Sequence, residues 1–146
     1  MPFDINRSAP AVAEHGAVVD APPERVWFVL TEIDAWPQWQ KSVSRAHLDG
    51  ALEPGATFRW KAGLSMVSTL RVVEPPHRVA WEGRARGVYA RHVWTLERTD
   101  GRTLVETAES FEGTLVRALR PLMQRVLQKG LDDALSGLKA AAEASA

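Results

Sequence analysis

The sequence predicts an α+β domain: a seven-stranded antiparallel sheet wrapped around one long C-terminal helix, with two short helices after the first strand. Three observations lead there. Between Val43 and Glu112, apolar and polar residues alternate in six segments broken by Gly, Pro and Asp, as in short antiparallel strands. From Thr114 to Glu143 the apolar residues recur every three or four positions, the spacing of a helix with one buried face. Pro22-Pro23 stands just ahead of another stretch of helical spacing, where proline is tolerated because first-turn N–H groups lack helical partners anyway.

Taken in order, residues 1 to 11 are expected to be loose, leaving an ordered core of about 12–143 in a single domain, 1–146. His15 to Asp20 (HGAVVD) reads as the first strand. The helix begun at the prolines buries Val26, Val29, Leu30 and Ile33, and Trp36-Pro37-Gln38-Trp39 forms a second short turn whose tryptophans anchor it to the sheet. The strands VSRAHLD, ATFRWKA, SMVSTLRVV, HRVAWEG, GVYARHVWTLER and RTLVETAESFE follow. The last helix is expected to bury Leu115, Leu119, Leu122, Val126, Gly130, Ala134 and Leu138, with Pro121 kinking it or separating its first two turns. Such a helix has to cover the concave side of the sheet. A twisted sheet around one helix encloses more space than side chains fill, so a cavity is expected.

Turn chemistry sets the register. Asp100-Gly101 suits a two-residue hairpin turn, which opposes Leu96 to Val105, Trp94 to Thr107, His92 to Glu109 and Ala90 to Phe111. A turn at Arg86-Gly87 independently opposes Gly83 to Ala90, Trp81 to His92 and Val79 to Trp94. Opposed residues share a face, so all of these point inward, joined by Val72, Leu70, Ser68, Met66, Trp60 and Phe58. Arg59, Lys61, Arg71, Arg91 and Glu97 fall on the other, solvated face.

Composition excludes several classes of function. Lys+Arg and Asp+Glu both number 18, so no overall basic excess draws the chain to nucleic acid or anionic lipid. There is no cysteine, hence no disulfide, thiolate metal site or cysteine nucleophile, as suits a reducing cytoplasm. No apolar run approaches membrane-spanning length, so membrane insertion is not expected. The four histidines lie on different elements, and no HExxH, GxxxxGK, GxGxxG or GxSxG occurs. No metal or cofactor is expected.

The segments VDAPPERVWFVLTEIDAWPQW, LEPGATFRWKAG, VVEPPHRVAWEG, HVWTLERTDGRTLVETAESFEG and RALRPLMQRVLQKGLDDALSGLKAAAE, in that order across residues 15 to 143, resemble the START/SRPBCC superfamily. Its fold is the helix-grip fold, and the branch most similar is the polyketide cyclase/dehydrase-like one. The resemblance implies a hydrophobic small-molecule ligand, polyketide- or lipid-like, held between sheet and helix. It also implies two alternatives: a cyclase or dehydratase using the same cavity, or a co-chaperone-like interaction module. No motif here identifies a catalytic residue that could be carried over.

A cavity of about 300 to 1,000 Å³, lined by Trp60, Leu70, Trp81, His92, Trp94 and Phe111, is therefore expected, with Phe58, Met66, Glu109, Met123 and Gly130 as further ligand contacts. Two readings of His92 and Glu109 stay open. They form a buried pair that satisfies its own polarity, or they face a ligand and orient a polar group on it, and then acid–base chemistry is within their reach.

Overall fold

The computed structural model describes residues 3–144. Strand β1 (Ala11–Val19) is followed by helix α1 (Pro23–Thr31) and a 3-10 helix (Ile33–Gln38). Strands β2 (Arg45–Asp49), β3 (Thr57–Ala62), β4 (Leu64–Glu74), β5 (Arg78–Ala85), β6 (Val88–Thr99) and β7 (Arg102–Glu112) come next, then helices α2 (Thr114–Ala118) and α3 (Arg120–Ala144). The seven strands form one antiparallel sheet in the order β1-β7-β6-β5-β4-β3-β2. This is the predicted helix-grip architecture.

The β6–β7 hairpin turns as its composition requires, with positive φ at both Asp100 (51°) and Gly101 (78°), so the flanking strands keep their twist. His92 consequently opposes Glu109, and Trp94 opposes Thr107. Across β5 and β6, Trp81 opposes His92. In β4 the alternation fails at one place. A bulge between Leu70 and Val72 pairs Val72 with Ala80, so Val72 joins an outer apolar cluster and Val73 takes the inward position opposite Val79. A bulge leaves no mark in a pattern of consecutive valines.

Residues 1 and 2 lie outside the described residues, but from Phe3 onward the N-terminal segment is not loose. Ile5 is buried, and with Phe3 it packs over Ala80 and Val93 on the outer face. The Asn6 N–H donates to Ser110 Oγ at 3.0 Å. Arg71 and Arg91, expected in open solvent, lie 5.0 and 5.9 Å from the centre of the Phe3 ring. Arg59, Lys61 and Glu97 are exposed as expected. Strand β1 also begins earlier than the sequence suggests, at Ala11, because small alanines carry little strand signal yet pair fully with β7.

The C-terminal helix is interrupted at Leu119 (φ −122°, ψ 43°), and Pro121 falls in the first turn of α3, where its missing N–H costs nothing. Its buried stripe matches the expected one at Ala134 and Leu138 and departs from it nearer the N-terminus. Met123, Leu127, Leu131, Ala134, Leu135, Leu138 and Ala142 face inward, whereas Leu119, Leu122 and Val126 are 43%, 51% and 46% exposed. Both rows have helical spacing, so spacing alone could not choose between them. The open edge of β1 chooses. Gln124 donates to the Val12 carbonyl at 2.8 Å and accepts from the Val12 N–H at 3.1 Å, Lys139 donates to the Val18 carbonyl, and Glu143 accepts from the Asp20 N–H. These bonds lay α3 along β1, satisfying an edge that would otherwise present unpaired backbone groups.

Two apolar clusters result. One joins Val19, α1, Trp36, Phe58, Leu70, Trp81, Trp94 and Val105 to the C-terminal half of α3, and the other joins Ala11, Ala13, Val88 and Val116 to Met123, Leu127 and Leu131. At Gly137 the helix backbone rests directly against the Trp39 carbonyl, and Asp133 accepts from Ser42 Oγ at 2.8 Å. The segment after the 3-10 helix thus closes onto α3. None of the described helices is long and apolar enough to cross a membrane.

Candidate functional site

Along β6 and β7 the inward positions change character between the two clusters. Val88 and Phe111 belong to one cluster, Trp94 and Val105 to the other, and His92 and Glu109 lie between them. The site is a polar seam across an apolar wall.

Adjacent strands put His92 and Glu109 side by side, 5% and 8% exposed. His92 Nδ1 is 3.4 Å from Glu109 Oε2, without hydrogen-bond geometry, while Nε2 and Thr107 Oγ1 share a hydrogen bond of 2.8 Å. The imidazole is held between Trp81, with ring centres 4.9 Å apart, and Trp94, stacked at 5.3 Å. Nearby, Trp60 Nε1 donates to Ser68 Oγ at 3.0 Å, and that hydroxyl occupies the space a side chain at Gly83 would need. Two buried nitrogens on this wall have no partner, His92 Nδ1 and Trp94 Nε1. Buried polar groups are normally satisfied, so these two nitrogens stand out on the wall as groups still able to take a hydrogen bond.

The electrostatics follow from desolvation. Burial pushes the Glu109 carboxyl up to about 8 and the His92 imidazole down to about 3, because each charged form would lose its hydration. Near neutral pH the seam therefore contains a protonated acid beside a neutral base. It is a set of uncharged donors and acceptors, not an ion pair, in keeping with the cost of burying charge.

The other predicted contacts divide. Phe58, Trp60, Leu70, Trp81 and Trp94 belong to or pack on the first cluster, and Phe111 and Met123 to the second. Met66 is buried, and Gly130 is half-buried with no neighbour within 4 Å of where a Cβ would stand. Part of the volume expected for a cavity is taken by Trp36, whose ring centre lies 5.5 to 5.6 Å from those of Phe58, Trp60 and Trp81. Two concavities, of about 690 and about 490 Å³, lie elsewhere: one over β2–β4 beside Pro37, the other against the N-terminal segment. Of the expected lining only Trp60, and of the further contacts only Met66, border the larger one.

Residues 10–143 match the family model described as polyketide cyclase/dehydrase and lipid transport. The chain belongs to this polyketide cyclase/dehydrase and lipid transport family, within the START/SRPBCC superfamily. No curated protein matches it. Among solved structures, a hypothetical protein of Helicobacter pylori is 20% identical with a TM-score of 0.83, the match covering 97% of this chain and 98% of that one. The Zhui aromatase/cyclase of Streptomyces sp. R1128 is 18% identical with a TM-score of 0.78, over 90% and 93% of the two chains. A START superfamily protein of Mycobacterium smegmatis is 13% identical with a TM-score of 0.78, over 92% and 99%. At these identities the likeness is one of fold.

In this polyketide cyclase/dehydrase and lipid transport domain, the residue that sequence reasoning passed over is Thr107. The register already placed it on the inner face, opposite Trp94 and diagonal to His92, and diagonal cross-strand neighbours are within reach of a long or ring side chain. Its hydroxyl was the available signal. Ser68 was likewise assigned inward, but its role as acceptor for Trp60 depends on the absence of a side chain at Gly83.

Proposed function

We propose that this chain binds a hydrophobic small molecule, aromatic or polycyclic and bearing a hydroxyl or carbonyl oxygen, against the His92–Glu109–Thr107 seam between sheet and α3. The observation that carries this reading is the pair of unpartnered buried nitrogens, His92 Nδ1 and Trp94 Nε1, on a wall otherwise made of apolar side chains, the hydrogen-bonded Thr107 and Ser68, and the Glu109 carboxyl. The flanking indoles of Trp81 and Trp94 offer flat faces to rings, and the uncharged seam offers hydrogen bonds to a neutral oxygen. A loose fit is not required. Binding has to separate side chains now in contact, which slows association without preventing it.

A second reading rests on the protonation states. Glu109 as the acid and His92 as the base, 3.4 Å apart, are the complementary partners that a cyclisation or dehydration of a polyketone would use to move protons. The family description supports both readings equally.

The test compares 2-naphthol with naphthalene by quenching of tryptophan fluorescence. The wild-type chain should prefer the naphthol, and His92→Leu should lower that preference about tenfold, the value of one or two buried hydrogen bonds. Its stability should fall by about 1 to 3 kcal/mol as Thr107 and Glu109 lose their neighbour. Unchanged discrimination between the two ligands in the folded variant would return His92 to a purely structural role.

A further inference from the structure

The charge balance of the whole chain hides a local separation. From Thr114 to Gly130 there are four cations, Arg117, Arg120, Arg125 and Lys129, and no carboxylate. This stretch carries the row that the structure leaves uncovered, Leu119, Leu122 and Val126, each between 43% and 51% exposed. On α3 the face that bears Asp133 and Gly137 is covered by Ser42 and Trp39, whereas its continuation toward the N-terminus, Val126 and Leu122, is not. Gly130 completes the row without adding a side chain. Arg125 and Lys129 each precede a member of the row by one position, so they stand about 100° around the helix from it. Among the described residues, Lys129 pairs with Asp133 and Arg120 donates to the Pro10 carbonyl, but Arg117 and Arg125 have no carboxylate partner.

We propose that this face of α2 and α3 docks on the surface of an anionic lipid bilayer. A basic helix with an apolar row suits the boundary between headgroups and acyl chains, where the cations meet lipid phosphates and the apolar side chains dip below them. Charge complementarity selects the occupant. Three half-exposed side chains fall well short of the roughly 800 Å² per partner that a stable protein interface buries, while a bilayer needs only a shallow row with cations beside it.

The experiment uses the full chain in co-sedimentation with phosphatidylcholine vesicles, neutral or containing about 30% phosphatidylglycerol, the anionic set being the one whose surface potential attracts basic segments. The protein should sediment with the anionic vesicles at about 0.1 M salt and be released at about 0.5 M, where screening shortens the reach of the cations. Leu122→Ser with Val126→Ser should weaken this at least tenfold, and Arg125→Gln about fivefold, the worth of one basic residue near such a surface. These positions are exposed, so the unfolding midpoint should not move. If the serine pair does lower it, Arg117→Gln with Arg125→Gln carries the test. Failure to sediment with anionic vesicles overturns the proposal, and is the result expected of a face made for an acidic protein. Equal sedimentation of wild type and well-folded variants overturns it as well, by moving the contact to another face.

Discussion

Stability of the wild-type chain should be greatest between about pH 4.5 and 6.5 and should fall on both sides of that window, a shape contributed by His92 and Glu109. Glu109 titrates near 4.5 when unfolded and at about 8 when folded, so the folded chain holds a proton that the unfolded chain lacks, and stability drops as pH rises through that interval. His92 titrates near 6.5 when unfolded and at about 3 when folded, so stability drops as pH falls through that interval. Between 4.5 and 6.5 the two slopes cancel, because folded and unfolded chains each carry one proton on the pair. Beyond the plateau each limb runs about 1.5 pH units, worth roughly 2 kcal/mol.

Glu109→Gln separates this pair from the exposed carboxylates that also titrate. The variant should lose its alkaline limb, leaving stability that rises through pH 6.5 and then stays level, so that near pH 8 it equals or exceeds wild type. Denaturant unfolding from pH 3.5 to 8.5 measures both curves. Parallel curves for the two proteins would mean that Glu109 is ionised and solvated in the folded state, and the uncharged seam would be wrong.

Replacing Gly137 by alanine should cost about 3 kcal/mol, although alanine in a helix interior ordinarily gains about 1 over glycine. A Cβ at this position would overlap the Trp39 carbonyl oxygen and come 3.1 Å from both the carbonyl carbon and the indole Cε3. The obstacle is backbone, so no rotamer change relieves it. Either α3 or the segment around Trp39 has to move outward, and the Ser42–Asp133 hydrogen bond is strained with it. Gly130 provides the control on the same helix. With nothing within 4 Å of its Cβ position, Gly130→Ala should stabilise by up to about 1 kcal/mol. Similar unfolding midpoints for the two variants would show that the contact at Gly137 yields freely.

The composition of two turns was enough to reveal the seam. Asp100-Gly101 and Arg86-Gly87 set the register of β5, β6 and β7, because a two-residue hairpin admits few backbone conformations and strand side chains alternate strictly. The opposition of Trp81, His92 and Glu109 followed without any tertiary information. The break before Pro121 was legible for a similarly local reason.

Other features depend on what lies across space. The bulge at Leu70 and Val72 sends one valine outward and the next inward, and identical neighbours cannot announce which. Phe3 and Ile5 are ordered because β4 to β7 present an apolar outer patch to receive them, a surface that exists only once those strands are aligned. The rotation of α3 was decided by the unpaired edge of β1, which drew Gln124, Lys139 and Glu143 to itself and left Leu122 and Val126 exposed. How much of the interior side chains occupy depends on Trp36, placed by a 3-10 helix whose angle no periodicity encodes. Periodicity and turn chemistry act over a few residues and so are written along the chain. Edge satisfaction and volume filling act between elements distant in sequence, and they acquire values only when the sheet and α3 have met.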